Sequence, residues 1–249
     1  MTDSRRHILG MRVDATSYAD ATRQIIEWSR QRQFRYVCVA NVHMSMAVHD
    51  DAKFREVVNG ADLVTPDGMP LVWLLRRSGI KDQQRVYGPT LTLSLCEALA
   101  IEKIPVGFYG SSPEVLKKLV SNLKDRYPGL DVSYAFSPPF RKLTADEDRQ
   151  IIEDINTSGT KVLFVGLGCP KQEWWMAGHH DQTQAVMVGV GAAFDFHAGM
   201  IRQAPLWIQK AGLEWLFRLI MEPRRLWKRY LVTNSKFIWL LVRSRILGK

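Results

Sequence analysis

The stretch KVLFVGLGCPKQEWW, residues 161–175, runs from a continuous apolar segment through small residues and a proline into a helix-forming segment. An unbroken apolar run such as Lys161–Gly166 reads as a strand covered on both faces. The glycine turn after it delivers the chain into a helix over 171–180. The same unit recurs along the chain. Strands are read at Phe34–Ala40, Ala61–Thr65, Ile104–Tyr109, Asp131–Phe136, Lys161–Gly166 and Ala185–Val190. Helices are read near 17–31, 51–59, 69–78, 90–101, 112–126, 145–157 and 171–180. This β-α-β rhythm predicts an α/β fold, a mostly parallel, doubly wound sheet with helices on both faces.

The 249 residues suffice for one large α/β domain, alone or with an appendage. At 46% hydrophobic and 24% charged, the composition is that of an ordinary soluble globule. Three cysteines, at 38, 96 and 169, are far apart and lack zinc-type spacing, which points to a reducing compartment and no structural metal. The N-terminal MTDSRRHILGMRVD lacks the apolar segment of a signal peptide. No apolar run approaches the roughly 20 residues a spanning helix needs.

The texture changes after residue 200. From Pro205 onward no strand pattern remains. Leu206, Trp207, Leu213, Trp215, Leu216, Leu219 and Ile220 mark a helix face, Pro223 breaks it, and Lys236–Leu247 reads as a last segment. The chain therefore divides into an α/β core, 1–200, and a helical, basic, tryptophan-rich appendage, 201–249. Residues 202–249 hold eleven Lys and Arg against two acids, Glu214 and Glu222, so the whole net charge of +9 resides there. A patch of one sign calls for a polyanionic partner: phosphates, an anionic membrane or nucleic acid. No nucleic-acid-binding motif is visible. Tryptophans beside a basic face suit a helix lying on an anionic bilayer, although the same residues also suit packing on the core.

Three turns carry phosphate-binding potential: GFYGSSPEVL (107–116), GLGCPKQEWW (166–175) and VGVGAAFDF (188–196). Each places small residues where a helix N-terminus offers backbone N–H groups. Gly110 and Gly168 are the substrate-binding candidates within them. None completes the GxGxxG dinucleotide fingerprint, so the turns favour a nucleotide without pointing to NAD. Asp67, in TPDG, is either a turn residue or an acid placed at a strand end in the crevice of an open sheet. Asn41 caps a helix or faces the same crevice, and Arg85 is a surface charge or a phosphate clamp. Gln172 and Glu173 belong to a solvated first turn, unless Gln172 donates to a phosphate or sugar hydroxyl. Asp146 and Asp148 have D-x-D metal-ligand spacing, but Thr144 and Glu147 form a capping box there, and the cap is the preferred reading. The adjacent His179 and His180 point to different helix faces and lack a third ligand.

In their order, these stretches resemble the WecG/TagA/CpsF family of bacterial glycosyltransferases. The resemblance rests on Asn41 in ANVHM, FREVVNGADLVTPDGMPLVWLLRRSG, RVYGPTL, SPPF, VGLGCPKQEWW, VGVGAAFDFHAG and RQAPLWIQKAGLEWLFRLIMEPRRLWKRY, over roughly residues 8–232. It implies a Rossmann-like fold and inverting, metal-independent transfer, without a cofactor, from a UDP-sugar to a polyprenyl-diphosphate-linked saccharide at the inner face of the bacterial membrane. It also implies that the appendage completes the site and helps the protein associate with the membrane. Carried over residue by residue, it makes Asp67 the base and puts Asn41 and Gln172 in the crevice with Arg85. It has Arg218, Arg224 and Arg225 meet diphosphate oxygens and Asp195 meet the uracil edge. Near Pro89–Thr90 the family pattern leads one to expect a polar Asp or Ser, which this chain lacks. The competing reading is a non-catalytic, membrane-associated, nucleotide-binding regulatory module. The sequence leaves open the transferred sugar (glucose, N-acetylmannosamine or its uronic acid) and whether copies of the chain form a homo-oligomer.

Overall fold

A computed structural model describes residues 5–246. The chain opens with a hairpin, β1 (Arg5–Ile8) and β2 (Met11–Asp14), paired antiparallel with Ile8 opposite Met11. Leu9 and Gly10 both have positive φ, which is the twist a two-residue hairpin turn demands. The sequence reading missed this hairpin, because four-residue strands are too short to display a period. Its inner residues, Met11 and Val13, are fully buried, and the Asp14 carboxylate accepts from Val64 N at 2.8 Å.

Six parallel strands follow, β3 (Tyr36–Ala40), β4 (Leu63–Pro66), β5 (Val106–Gly110), β6 (Val132–Phe136), β7 (Val162–Gly166) and β8 (Val186–Gly189), ordered β4-β3-β8-β7-β5-β6. Each coincides with a run read from the sequence. Side chains alternate between two cores. Val37, Val39, Val162 and Phe164 enter one cluster, while Cys38, Ala40, Leu163 and Val165 enter the other. Both faces are apolar because both are covered, which is why these strands read as unbroken runs.

Helices α1 (Tyr18–Arg30), α5 (Gly88–Glu102), α6 (Pro113–Arg126) and α9 (Ala193–His197) cover the first face. Helices α2 (Val42–Asp50), α3 (Ala52–Gly60), α4 (Met69–Arg77), α7 (Ala145–Thr157) and α8 (Lys171–His179) cover the second. Two of these helices were not read from the sequence, α2 and the single-turn α9. The sharp stop between α2 and α3 is Asp51, whose carboxylate caps α3 by accepting from Lys53 N and Phe54 N. The helices after β3 and β8, α2 and α9, leave toward opposite faces. The strand ends between them therefore open a crevice at the C-terminal edge of the sheet.

The appendage comprises α10 (Leu206–Lys210), α11 (Glu214–Met221) and α12 (Pro223–Ile246). Pro223 ends one helix and begins the next, at the first-turn position where its missing N–H costs nothing. The expected separate segment at Lys236 does not exist, because α12 runs unbroken for 24 residues. Leu226 and Phe237 of α12 are buried, and Phe237 joins the second core cluster. Among the described residues, Phe237 is the only buried member that either cluster draws from beyond residue 200, so the described core is built almost wholly by the first 200 residues.

Two glycines set the spacing at the sheet edge. A Cβ on Gly110 would lie 2.6 Å from the carbonyl carbon of Gly166, and Gly110 has φ +125°. A Cβ on Gly166 would lie 2.6 Å from the Phe194 ring. Gly110→Ala is expected to cost roughly 3 kcal/mol or more through backbone strain and overpacking. Urea unfolding checks this, and wild-type stability would show that the edge relaxes freely.

Candidate active site

The crevice at the C-terminal edge is a cleft of about 1170 Å³. The loops after β3, β4, β5, β7 and β8 form its base, and α11 and α12 of the appendage close one side.

Asp67 sits where β4 ends. Its backbone N–H and that of Gly68 both donate to Ala40 O, at 2.8 and 3.2 Å, so TPDG is clamped to the end of β3. Pro70 then starts α4. Turn and site are thus one feature: the turn aims the carboxylate into the cleft. Arg85 Nη2 donates to Asp67 Oδ1 at 2.8 Å, Arg85 Nε donates to the same oxygen at 3.1 Å, and Nε also reaches the Asp67 carbonyl. The other arm, Nη1, donates to Glu214 Oε2 at 2.6 Å. The guanidinium lies 4.0 Å from the centre of the Tyr87 ring. Burial pushes the Asp67 carboxyl up to about 6, Arg85 pulls it down, and Glu214 pushes it further up.

Glu214 opens α11, is buried, and was not read as a site residue. Its signal was available: it is one of two acids among the last 48 residues. An isolated acid in a basic segment is a candidate partner for a buried cation.

Asn41 caps α2, its Oδ1 accepting from Met44 N at 3.2 Å, and it also lines the cleft; cap and crevice are the same place. Gln172 and Glu173 are 3% and 0% exposed, which overturns the solvated-turn reading. The first turn of α8 points inward beneath Gly189, where a Cβ would come within 3.0 Å of Gln172 Nε2. Gln172 Oε1 accepts from Gly168 N at 3.2 Å, and Nε2 donates to Glu173 Oε1 at 2.7 Å. Gly168, at φ +79°, lines the cleft, as do Ser111 and Ser112 after β5. Gly110 does not; it is packed on Gly166.

Asp195 and Arg218 line the cleft. Arg218 lies over the Phe196 ring at 5.4 Å and reaches Glu222 at 3.7 Å, while its buried Nε makes no hydrogen bond to protein. Arg224 is exposed and outside the lining, so the arrangement does not bring it to the other arginine. The side chain of Arg225 lies outside the described residues.

The D-x-D pair belongs to a helix start. Thr144 and Glu147 form the reciprocal capping box, and Asp148 binds His179 Nε2 at 2.8 Å. Among the described residues no group of three His, Cys, Asp or Glu is placed to hold a metal ion.

Burial raises the Glu173 carboxyl to about 7, against the hydrogen bond its Oε1 accepts from the Gln172 amide. The unfolded carboxyl ionises near 4.5, so its neutral form favours the native state. That stability is fully present below about 4.5 and is lost as pH rises through about 7. Relative to wild type, Glu173→Gln should therefore gain roughly 2–3 kcal/mol between pH 5 and pH 8. Urea unfolding at the two pH values checks it, and parallel curves for the two proteins would contradict it.

The sequence model of the family described as "Glycosyl transferase WecG/TagA/CpsF family" matches residues 6–249, beyond the 8–232 legible by eye and through α12. A protein of Bacillus spizizenii named N-acetylglucosaminyldiphosphoundecaprenol N-acetyl-β-D-mannosaminyltransferase is 30% identical over 202 residues, covering 81% of this chain and 76% of the relative. A Bacillus subtilis protein of the same name is 28% identical over 197 residues, covering 78% and 74%. The chain belongs to the WecG/TagA/CpsF family and is a glycosyltransferase.

Proposed function

We propose that this enzyme transfers a sugar, with inversion, from a UDP-sugar to a polyprenyl-diphosphate-linked saccharide, using Asp67 as the base. The observation that carries the reading is the Asp67 carboxylate, held in the cleft by Arg85. With its carboxyl raised to about 6, Asp67 is ionised near neutral pH yet more basic than an ordinary aspartate. It takes the proton of the acceptor hydroxyl as that oxygen attacks the anomeric carbon. The bond from that carbon to the UDP oxygen breaks as the new bond forms, and UDP leaves with the electron pair.

The departing diphosphate needs positive charge. The N–H groups at the start of α8, next to Gly168, and the Arg218 guanidinium supply it without a metal ion or other cofactor. The unbonded Nε–H of Arg218 favours this role. Asp195, at the start of α9, is the proposed contact for the uracil edge. Arg85 holds the base in place, and Gln172 and Asn41 complete the polar wall toward the sugar. Both relatives carry names that give N-acetylglucosaminyldiphosphoundecaprenol as acceptor and N-acetylmannosaminyl as the group moved. UDP-N-acetylmannosamine is therefore the first donor to try.

The appendage, from about residue 201, is proposed to lie on the inner, anionic face of the bacterial cell membrane, with the core in the cytoplasm. No helix among the described residues is long and apolar enough to cross a membrane. Trp207, Ile220, Trp227, Leu231 and Trp239 are nevertheless exposed, and Lys and Arg residues alternate with them. That composition favours an interfacial position.

Asp67→Asn should keep the fold and UDP affinity and lose transfer by roughly 10²–10⁴-fold. Wild-type kcat/KM should fall on the acid side of about pH 6. UDP release onto the lipid-linked acceptor, measured with and without EDTA, tests both the base and the metal-free chemistry. Wild-type turnover by the variant removes Asp67 as base, and loss of activity with EDTA removes the metal-free reading.

A further inference from the structure

The cleft does not end at the polar groups around Asp67. It continues between one face of α4 and one face of α12. Met69, Trp73 and Leu74 supply the first wall, and Phe237, Ile238 and Leu241 the second. Met69 and Trp73, and likewise Phe237 and Leu241, lie four residues apart and share a helix face, with Leu74 and Ile238 bordering it. Phe237, at 3% exposed, forms the floor, while Trp73 and Ile238, at 50% and 61%, form the lips. Trp73 packs against Gly212, where a Cβ would come within 3.1 Å of the indole, and Lys236 pairs with Asp50 of α2 at 2.5 Å.

We propose that this groove seats the first isoprenoid units of the acceptor lipid, an inference that rests on the acceptor class proposed above. An acceptor of that class carries three chemically distinct parts in a fixed order: a sugar hydroxyl, a diphosphate and a branched hydrocarbon chain. The cleft offers matching surfaces: the Asp67 carboxylate, the cation Arg77, and then the apolar groove. A sugar nucleotide brings no hydrocarbon, so the donor does not account for the groove. The lip continues outward along α12 to Trp239 and Val242, which are exposed and apolar. A chain leaving the groove there passes directly onto the surface proposed to face the bilayer. The groove thus draws the reacting end of the lipid out of the membrane, and it distinguishes isoprenoid diphosphates from soluble sugar diphosphates.

The test is calorimetric titration of the full chain with inorganic diphosphate and with geranyl, farnesyl and geranylgeranyl diphosphates, below their aggregation concentrations. Wild type should bind roughly tenfold more tightly for each added isoprene unit, a fraction of the full transfer value because the groove is open on one side. Trp73→Ala and Leu241→Ser should flatten that dependence and weaken geranylgeranyl diphosphate at least tenfold. Their affinities for UDP and inorganic diphosphate should stay at wild-type values, which also reports that they are folded. Equal affinity for all three chain lengths in wild type, or undiminished geranylgeranyl diphosphate binding in both variants, overturns the proposal. If chain-length dependence holds while Asp67→Asn still transfers sugar, the groove stands and the base assignment falls. Flat dependence with Asp67-dependent transfer overturns the groove alone.

Discussion

One guanidinium serves two carboxylates, the partly buried Asp67 and the buried Glu214. Arg85 bonds Asp67 of the core with one edge and Glu214 of the appendage with the other. Burying an acid without a partner is costly, and burying two beside one cation leaves one negative charge uncompensated. Burial is the larger reason, and the Glu214 charge the smaller, that Asp67 retains its proton to a higher pH than a solvated aspartate. The same guanidinium gives the appendage a charged anchor at the cleft in addition to its apolar contacts through Leu226 and Phe237. Moving α11 away would strand Glu214, expose Arg85 and return Asp67 toward ordinary acidity. The acidity of the Asp67 carboxyl is therefore linked to the docking of the appendage through Glu214.

The core places that carboxylate by simple means. A parallel sheet covered on both faces brings the ends of β3, β4, β5, β7 and β8 to one edge. There Gly110 and Gly166 let backbone and ring approach more closely than any side chain allows. The Gly168 turn and the buried first turn of α8 set backbone N–H groups and the Gln172 amide into the same edge. Asn41, Asp67, Gln172 and Asp195 line one cleft because each lies at or just past the end of a strand, and the segment between α4 and α5 brings Arg85 back to Asp67. The appendage then adds a further cation, Arg218, and an apolar wall.

The six parallel strands were legible because burial on both faces leaves an unbroken apolar signature. The hairpin Arg5–Asp14 was not, since four residues show no period. Helix α2 escaped because its apolar residues, Met44, Met46 and Val48, follow two-residue spacing while its cap, Asn41, doubles as a site residue. The turn at Asp67 was readable from Pro66 and Gly68, and its role from its place at a strand end. Glu214 stood out in the sequence only as an isolated acid in a basic segment, and its role stayed hidden because its partner Arg85 is 129 residues away. The inward turn of Gln172 and Glu173 was likewise hidden, since local pattern favours solvent there and only packing beneath Gly189 reverses it. The arginines of the appendage read alike in the sequence. Only the fold separates Arg218, on the inner side of α11, from the exposed Arg224.

The coupling of Asp67 to the appendage is measured most directly by carbon-13 NMR titration of the aspartate carboxyls in the full chain, with Asp67 assigned through Asp67→Asn. The account predicts that Asp67 titrates near 6 in wild type and shifts to lower pH in Glu214→Gln, where the competing charge is gone. An Asp67 that titrates like a solvated aspartate, or at the same pH in both proteins, would contradict it.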